Sequence, residues 1–509
     1  MISNGIKTRN IAALLSAIII ICGFIGSCAD SGKPESEETT AGVAAESDIY
    51  ADTADEKESD GYLEDSSVPK TEDILPGLDF GGTEIRFMLE AAEPKSIEGY
   101  DQGDIVDSKI YERNLNVSEA LNVNIKCAMT VEYMTMAPTL RNIISAGDDA
   151  IDVAAVLRWC SASVAPLGYL QDVSEMKYIN LDNPWWAKDY IDAMAYNGVY
   201  LLTSDMMTSY IGGAYAIFAN ARLWEGLDLP NIYDIVRDGR WTLDLMTEYT
   251  EKAWQDINNN GITDEGDVVG FSYGFTEELV NGLGVEYCKR DENNVPYIAL
   301  NNEHTVAVWD KLYKLYIETP GSYLNPGYNS ISDFVTGSAL MVDYDISSSS
   351  SPLRAMEDDY YIIPTPKFNE AQNSYITLNV GQPAQYGVPI TAVNTDAISA
   401  ALEAMAAESR RILRPAYYNV HLGEKVVRDA DSKEMIDLIM DNIHVDFGYC
   451  YAGAIGSGLG QDNWFMFFDI FRTIGQQKNN NFVSTFEQKG PGYEKRLQSL
   501  LKAFDKLKG

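Results

Sequence analysis

The sequence has few basic residues for its size. Its 509 residues include 38 Lys and Arg against 76 Asp and Glu, which gives a formal net charge of -38. Binding to nucleic-acid phosphates requires clustered Lys and Arg side chains, and no basic stretch of that kind occurs in the chain. The composition therefore argues against nucleic acid as a partner.

The sequence also lacks the patterns of common catalytic sites. It contains three histidines, and neither HExxH nor GxSxG occurs. The acidic pairs Asp148-Asp149 and Asp358-Asp359 are adjacent in sequence, so their side chains diverge, which is typical of solvated surface. We therefore expect no enzymatic activity. A glycoside hydrolase stays open as an alternative, because its two carboxylates must be close in space and not in sequence.

Cysteine is scarce, with six in the whole chain. Cys22 and Cys28 lie near the N-terminus, and the folded region keeps Cys127, Cys160, Cys288 and Cys450. The wide, irregular spacing of these four matches no metal-binding pattern. It is compatible both with disulfides outside the cell and with buried free thiols.

The N-terminus has the form of an export signal. Lys7 and Arg9 precede a 17-residue apolar run, residues 11–27, which ends in Ile-Gly-Ser before Cys28. This ending resembles the bacterial lipobox, in which the cysteine receives a diacylglyceryl group before cleavage. It predicts a signal peptide over 1–27 and lipidation of Cys28. An ordinary signal peptide or an uncleaved anchor with a chance cysteine is the alternative.

The segment after the cysteine is acidic and poor in large apolar residues. Residues 28–76 cannot bury enough surface to offset the entropy of ordering, so we expect a disordered spacer. A lipid anchor and a spacer would hold the folded part on the extracytoplasmic face of the cell membrane.

One short stretch, DINNNGITDEGD at 256–267, has the spacing of a calcium-binding loop. The acidic and amide oxygens fall at positions one, three, five, nine and twelve, Gly261 stands at six, and a main-chain carbonyl is available at seven. The predicted ligands are Asp256, Asn258, Asn260, the Ile262 carbonyl, Asp264 and Asp267. A helical pattern precedes the loop and a strand-like one follows, so we expect one structural Ca²⁺ and no EF-hand sensor. A hydrated turn without metal is the alternative.

The order of elements in the folded part predicts an α/β protein with two interleaved lobes. Residues 83–157 have a βαβαβ pattern, which indicates a largely parallel sheet. Apolar runs at 212–220, 337–345 and 384–391 are predicted to cross between lobes. The resulting prediction is lobe 1 over 77–215 with 338–390 and lobe 2 over 216–337 with 391–509, because one core cannot hold so long a chain.

Ligands of parallel sheets bind beyond the carboxyl ends of the strands, so residues at strand ends and crossings are the candidates. Aromatic rings and planar polar groups are the side chains that a sugar would need. Of the adjacent tryptophans after Asn183-Pro184, at least one should be exposed or face the cleft. The candidates are Trp159, Trp185, Trp186, Asp205, Tyr210, Asp343, Tyr344 and Asp345.

Several longer stretches are similar to those of one protein family. NPWWAKDYIDAMAYNGVYLLTSDM, GRWTLDLMTEYTEKAWQDINNNGITDEGDVVGF and YYIIPTPKFNEAQNSY, together with the lipobox, resemble extracellular solute-binding lipoproteins of carbohydrate-uptake ABC transporters (family 1, Gram-positive type). AAESRRILRPAYYNVHLGEKVVRD and EMIDLIMDNIHVDFGY extend the resemblance.

The resemblance implies a periplasmic-binding-protein-like fold of the class II type, hinged by crossing strands. It also implies a monomer that captures a carbohydrate and hands it to permease subunits in the membrane. A tethered carbohydrate-binding receptor or adhesin is the alternative outside transport.

Overall fold

The structure, a computed structural model, describes residues 64–90, 95–99, 104–132, 135–157, 164–350, 352–379, 384–421, 430–459 and 466–508. Its strands, in chain order, are β1 Thr83–Glu90, β2 Val123–Val131, β3 Val153–Leu157, β4 Tyr215–Asn220, β5 Val269–Tyr273, β6 Cys288–Arg290, β7 Pro296–Ile298, β8 Ser322–Leu324, β9 Ala339–Asp345, β10 Tyr360–Ile363 and β11 Ala384–Gly387.

The α-helices of the described residues are α1 Thr71–Ile74, α2 Lys95–Glu98, α3 Ile105–Leu121, α4 Met136–Ala146, α5 Lys188–Met194, α6 Thr208–Gly212, α7 Ala221–Gly226, α8 Ile232–Arg237, α9 Leu243–Ala253, α10 Glu303–Tyr313, α11 Ser330–Val335, α12 Thr395–Glu408, α13 Arg414–His421, α14 Ala430–Asp441, α15 Phe447–Cys450, α16 Ala452–Gly456, α17 Asp469–Gln477 and α18 Phe482–Asp505. Lys314–Glu318 and Ser409–Leu413 are π-helical turns, and short 3₁₀ turns span Ala165–Leu167, Val173–Glu175, Ile346–Ser350 and Leu353–Ala355.

The first sheet has the strand order β11-β3-β1-β2. Strand β1 is parallel to β2 and to β3, and β11 is antiparallel to β3. The predicted βαβαβ unit is therefore confirmed, with α3 and α4 as its crossover helices. Ile85, Phe87 and Leu89 of β1, which share one face of the sheet, are fully buried.

The second sheet has the order β10-β4-β9-β5-β8. Strand β5 is parallel to β8 and β9, whereas β4 is antiparallel to β9 and β10. Alternate residues of β4 enter two different hydrophobic clusters: Ile217 and Ala219 join one, and Ala216 and Phe218 the other. Both faces of this sheet are thus packed.

Three segments join the two sheets. The first crossing, residues 205–214, leads into β4, and the second crossing, residues 364–379, leads from β10 towards β11. These two are bridged in antiparallel fashion at Ala214 and Asn379. The third crossing, residues 395–421, is helical: α12 packs on α3 and β1, and α14 beyond it packs on β10.

This arrangement corrects the predicted lobe boundaries. The run 337–345 was predicted to cross between lobes, but β9 pairs with β4 and β5 and is an interior strand of the second sheet. Strand β10 belongs to that sheet as well. Helix α12, predicted for lobe 2, packs on the first sheet. A buried strand has the same apolar pattern in either sheet, so its composition does not show which sheet it joins.

A buried arginine fixes the crossings to helix α3. Arg113 is fully buried and donates hydrogen bonds to the main-chain carbonyls of Met206 (2.9 Å) and Ser96 (2.9 Å). It also lies 3.4 Å from the Ser409 hydroxyl in the third crossing. Nearby, a Cβ on Gly212 would lie 2.1 Å from the Tyr417 hydroxyl, so glycine is needed for α13 to approach the first crossing.

The cysteines and the helices also bear on the sequence predictions. Cys127 and Cys288 are free thiols and Cys450 is buried, while Cys160 lies outside the described residues. Within the described ranges, no helix has the length and apolar character needed to cross a membrane. The predicted signal peptide, Cys28 and residues 28–63 of the predicted spacer lie outside the described residues. The prediction of a disordered spacer is wrong for residues 64–76: Val68 and Thr71 are buried, and the Thr71 hydroxyl donates to Glu408 at 3.1 Å.

Candidate functional site

A cavity of about 230 Å³ lies where the first crossing meets the third crossing and α14. Aromatic, acidic and basic side chains share its wall, among them Trp185, Trp186, Asp189, Asp205, Tyr210, Arg410, Arg414 and Asp441. A larger cavity of about 620 Å³ shares Asp189 with it and is lined by Arg290 and His444. Because Ile443 lines the smaller cavity and His444 the larger one, the two are neighbours.

Asp205 places a buried carboxylate at the smaller cavity. The residue is 3% exposed, and its Oδ2 lies 3.3 Å from Arg410 Nη1 and 3.5 Å from Arg414 Nη1. Its Oδ1 has no hydrogen-bond partner within the described part of the chain. Burial raises the pKa of Asp205 above its ordinary value, and the charge of Arg414 opposes that rise. A buried acceptor without a donor costs free energy, which a ligand hydroxyl could recover.

The two adjacent tryptophans share one buried acceptor. Trp185 and Trp186 are each 4% exposed, and their indole N–H groups donate to the two carboxylate oxygens of Glu403, at 3.0 and 2.9 Å. The Asn183 amide also donates to Glu403, at 2.6 Å. Neither tryptophan is exposed, although both line the cavity. Glu403, on α12, therefore fixes the orientation of both rings.

Tyr210 contributes a second aromatic wall. Its ring meets that of Tyr190 edge-on, with centroids 6.3 Å apart, and its main-chain carbonyl accepts from the Asn379 amide at 2.7 Å. That hydrogen bond joins the first crossing to the second. Burial raises the pKa of the Tyr210 hydroxyl, so the hydroxyl stays protonated and able to donate at neutral pH.

The end of β9, beside the start of β4, forms a second polar group. Tyr215, the first residue of β4, pairs with Asp345, and its ring stacks on Tyr344 with centroids 6.4 Å apart. The Tyr215 hydroxyl donates to Glu278 at 2.9 Å. Tyr344 and Asp345 are partly exposed, whereas Asp343 is 1% exposed. The predicted residues 343–345 thus run from the interior towards the surface.

Three buried carboxyl groups lie together at this strand end. Burial raises the pKa of Asp343 to about 7 and that of Glu277 to about 7, although Arg472 opposes the rise at Glu277. The pKa of Glu278 lies well above its ordinary value, because of burial and the charge of Asp343. The Glu278 and Asp343 carboxyl groups also hydrogen-bond each other, and this bond raises the pKa of Glu278 and lowers that of Asp343, so Glu278 carries the shared proton. We call Glu277, Glu278 and Asp343 the acidic cluster.

The sequence predicted some of these residues and missed others. The structure brings Trp185, Trp186, Asp205 and Tyr210 to one cavity, and Trp159 lies outside the described residues. Five site residues were missed: Glu277, Glu278, Glu403, Arg410 and Arg414. The two glutamates follow the carboxyl end of β5, where a strand-end rule could have found them. Arg410 and Arg414 are four residues apart, and side chains at this spacing lie next to each other only when the segment is helical.

The candidate metal loop joins a helix to a strand, as predicted. Helix α9 precedes it and β5 follows it, and Gln255 pairs with Val268 to close its base. Asp267 is buried at the base and accepts the Ile257 N–H at 3.0 Å. This is not the helix-loop-helix unit whose helices change their angle on binding calcium.

Hydrogen bonds within the loop bring the side chains of its candidate oxygen ligands together. Asp256 accepts the main-chain N–H groups of Asn260 (3.1 Å) and Gly261 (2.7 Å). The amide nitrogens of Asn258 and Asn260 donate to Asp264, at 2.9 and 2.5 Å. Among the described residues, no group of three or more His, Cys, Asp or Glu side chains is arranged to hold a metal ion. Rotation of the two amides would present their oxygens beside Asp264, and an all-oxygen set of this kind fits Ca²⁺.

Comparisons with known proteins bear on the fold. A scan against protein-family models finds no match, and a search of curated proteins also finds none. Among solved structures, the chain is similar to UgpB from Mycobacterium tuberculosis in complex with glycerophosphocholine, with 15% identity, a TM-score of 0.53, and coverage of 83% of this chain and 99% of that one.

Two further structures give the same result. A cyclo/maltodextrin-binding protein complexed with maltotetraose has 11% identity and a TM-score of 0.53, with 84% of this chain and 97% of that chain covered. UspC from M. tuberculosis has 13% identity and a TM-score of 0.53, with 81% and 100% covered. At this identity the likeness establishes the fold, and it confirms the predicted two-lobed, periplasmic-binding-protein-like α/β architecture.

The acidic cluster predicts how stability depends on pH. The pKa of Asp343 is raised on folding to about 7, so the folded state binds more protons than the unfolded state between about pH 4 and pH 7. Stability should therefore increase as the pH falls from 8 to 5.5. Urea unfolding should show that Asp343→Asn reduces this increase by about 1–3 kcal/mol. The control is Asp396→Asn, at an exposed ion pair with Lys177. Equal pH slopes for the Asp343 variant and the unaltered protein would contradict the prediction.

Proposed function

We propose that this protein is the substrate-binding component of an ABC transporter, which captures a carbohydrate between its two lobes and delivers it to membrane permease subunits. The observation that carries the proposal is the polar and aromatic cavity where the crossings join the two sheets. Hinge closure around a ligand is a natural use of two α/β lobes joined in this way. The similar cyclo/maltodextrin-binding protein is complexed with maltotetraose, which supports the carbohydrate class.

The side chains at the cavity suit a sugar. Sugars present apolar C–H faces, which pack on aromatic rings such as those of Trp186 and Tyr210. Their hydroxyl groups can donate to the free Oδ1 of Asp205 and accept from Arg410 and Arg414. The two neighbouring cavities, of about 230 and 620 Å³, fall in the size range of small-molecule sites when taken together.

A glycoside hydrolase is a second candidate, and the acidic cluster is the observation that favours it. A carboxyl group with a pKa near 7, such as Asp343 or Glu277, could act as a general acid. Such an enzyme also needs a second carboxylate across the scissile bond. Chromatography of oligosaccharides after overnight incubation tests this directly, since we propose binding without turnover.

The proposed capture predicts a specific loss on mutation. In a thermal-shift screen over mono- and oligosaccharides, at least one sugar should raise the melting temperature of the protein by mass action. Asp205→Asn should then weaken the binding of that sugar about tenfold or more, because a charge-assisted hydrogen bond contributes about 1.5–3 kcal/mol. The exposed Asp396→Asn variant should bind normally, as measured by calorimetry. If no sugar raises the melting temperature, or if a peptide binds tightly instead, the carbohydrate proposal is wrong.

We propose further that loop 256–267 holds one structural Ca²⁺, with the ligands Asp256, Asn258, Asn260, the Ile262 carbonyl, Asp264 and Asp267. The inward curl of the loop and its closed base support this assignment. When bound, the ion would fix the end of α9 to the start of β5, which leads directly to the acidic cluster.

Calcium should therefore raise the melting temperature, and chelator should reverse the rise. Asp264→Asn should abolish the calcium-dependent part, because Asp264 is the carboxylate that receives both amides. The matched control is Asp291→Asn: Asp291 also accepts main-chain N–H groups in a surface turn, from Asn293 and Val295, but lies outside the loop. This control should keep the full calcium response. A melting temperature that is indifferent to calcium and chelator in the unaltered protein would refute the assignment.

Our proposal for location is that Cys28 is lipidated and anchors the protein outside the cytoplasmic membrane. Cys28→Ala should appear in the soluble fraction or as an unlipidated precursor, with an unchanged melting temperature of the folded part. Fractionation followed by mass spectrometry of the N-terminal peptide measures both. If the Cys28→Ala protein stays in the membrane at its full level with residues 11–27 uncleaved, these residues are a true anchor and the lipidation proposal fails.

A further inference from the structure

Residues 64–74, which precede β1, lie against helices α3 and α12. The short helix α1 within them packs on both, and Val68 and Thr71 are buried. Val68 belongs to the hydrophobic cluster that contains the buried residues of β1. We call residues 64–74 the N-terminal strap. Apolar contacts at Val68 account for part of its docking, and its polar contacts reach the third crossing.

The strap completes the pairing of a buried ion pair in the third crossing. The main-chain N–H and the hydroxyl of Thr71 both donate to Oε1 of Glu408, each at 3.1 Å. The N–H of Asp65 donates to the carbonyl of Arg411 at 2.9 Å, and the carboxylate of Glu64 pairs with the Arg411 guanidinium. Arg411 in turn donates to Oε2 of Glu408 at 2.6 Å. Glu408 and Arg411 are 0% and 4% exposed, so both depend on these partners.

The same ion pair flanks an arginine of the candidate ligand site. Arg410 lies between Glu408 and Arg411 in a π-helical turn, and Arg414 follows that turn directly. The Nη1 atoms of Arg410 and Arg414 lie 3.3 and 3.5 Å from Oδ2 of Asp205. Turns of this kind are rare, occur often at functional sites and interrupt the regular hydrogen bonding of a helix. The position of the turn therefore depends on contacts from outside the helix.

We propose that the N-terminal strap is a positioning element of the ligand site, which holds the π-helical turn through Glu408 and Arg411 so that Arg410 and Arg414 face Asp205. This inference rests on the proposed function, since these arginines line the cavity assigned to the sugar. Coupling of this kind is reciprocal. A ligand that binds the arginines in this arrangement therefore favours docking of the strap to the same extent.

The physical link is the supply of donors to Glu408. A buried carboxylate that loses a donor must take up a proton or move towards new donors. Either change alters its pairing with Arg411 and, with it, the direction of Arg410. The simpler alternative is that the strap only covers apolar surface at Val68. In that case changes in its polar contacts would lower stability and leave Arg410 where it is.

The test measures how fast single arginines react with phenylglyoxal in the ligand-free full chain, by mass spectrometry of peptides. Arg410 is compared with Arg86, because both pair with an aspartate and their side chains are 26% and 20% exposed. Thr71→Val removes the hydroxyl donor with little change of shape. It should raise the rate at Arg410 relative to Arg86 about threefold or more, which is a common size for coupling through packed contacts. Thr71→Ser, which keeps the hydroxyl, should react like the unaltered protein.

A second variant changes the strap at its exposed end. Glu64 is 46% exposed, so Glu64→Gln should fold normally and still raise the rate at Arg410. The matched control is Asp79→Asn: Asp79 also accepts a main-chain N–H close to the N-terminal side of β1, but lies outside the strap. This control should leave the rate unchanged. If neither strap variant raises the rate at Arg410, or if the rate at Arg86 rises equally, the strap only stabilises the fold and the inference is wrong.

Calorimetry with maltotetraose and the other sugars of the thermal-shift screen separates this inference from the proposed function. A sugar that binds the unaltered protein should bind Thr71→Val about threefold or more weakly and Thr71→Ser normally. In an Arg410→Gln background, Thr71→Val should have little further effect, because both changes act through one side chain. Equal binding by Thr71→Val and the unaltered protein would overturn the inference and leave the proposed function intact. If no sugar binds, the proposed function is wrong, and the reaction rates alone decide whether the strap positions the arginines.

Discussion

The junction of the two sheets depends on carboxyl groups that are buried there and paired within the protein. Asp205 lies within the first crossing, and Asp343 lies in β9, which pairs with the residues just after that crossing. A carboxyl group taken out of water without donors costs several kcal/mol unless it is protonated or paired. Asp205 is paired with Arg410 and Arg414, and Asp343 with the protonated side chain of Glu278.

The rest of the molecule holds these groups in position. Arg113 of helix α3 hydrogen-bonds to the first and third crossings. Glu403 of α12 accepts hydrogen bonds from the two tryptophan rings and fixes their orientation. On the second sheet, β5 carries Glu277 and Glu278 at its carboxyl end, and the candidate metal loop lies at the other end of that strand. A calcium ion there would act on the site only through the position of β5.

The local structure was predictable because it follows from residue periodicity, while the assembly was not. The βαβαβ unit over 83–157 and the helix-loop-strand around 256–267 follow from apolar spacing and turn residues, and both are present. The membership of β9 was wrong, since an apolar run of seven residues fits either sheet equally well. Glu403 and Glu278 were missed because their role depends on partners at residues 185, 186 and 215. No local sequence pattern indicates contacts between residues so far apart in the chain.

The central claim is that a carbohydrate is captured between the two sheets, and a crystal structure with the tightest-binding sugar tests it most directly. The account predicts that the sugar lies between the sheets, with a hydroxyl group within hydrogen-bond distance of Asp205 Oδ1 and a ring face against Trp186 or Tyr210. A sugar bound on an outer surface, remote from all three crossings, would contradict it.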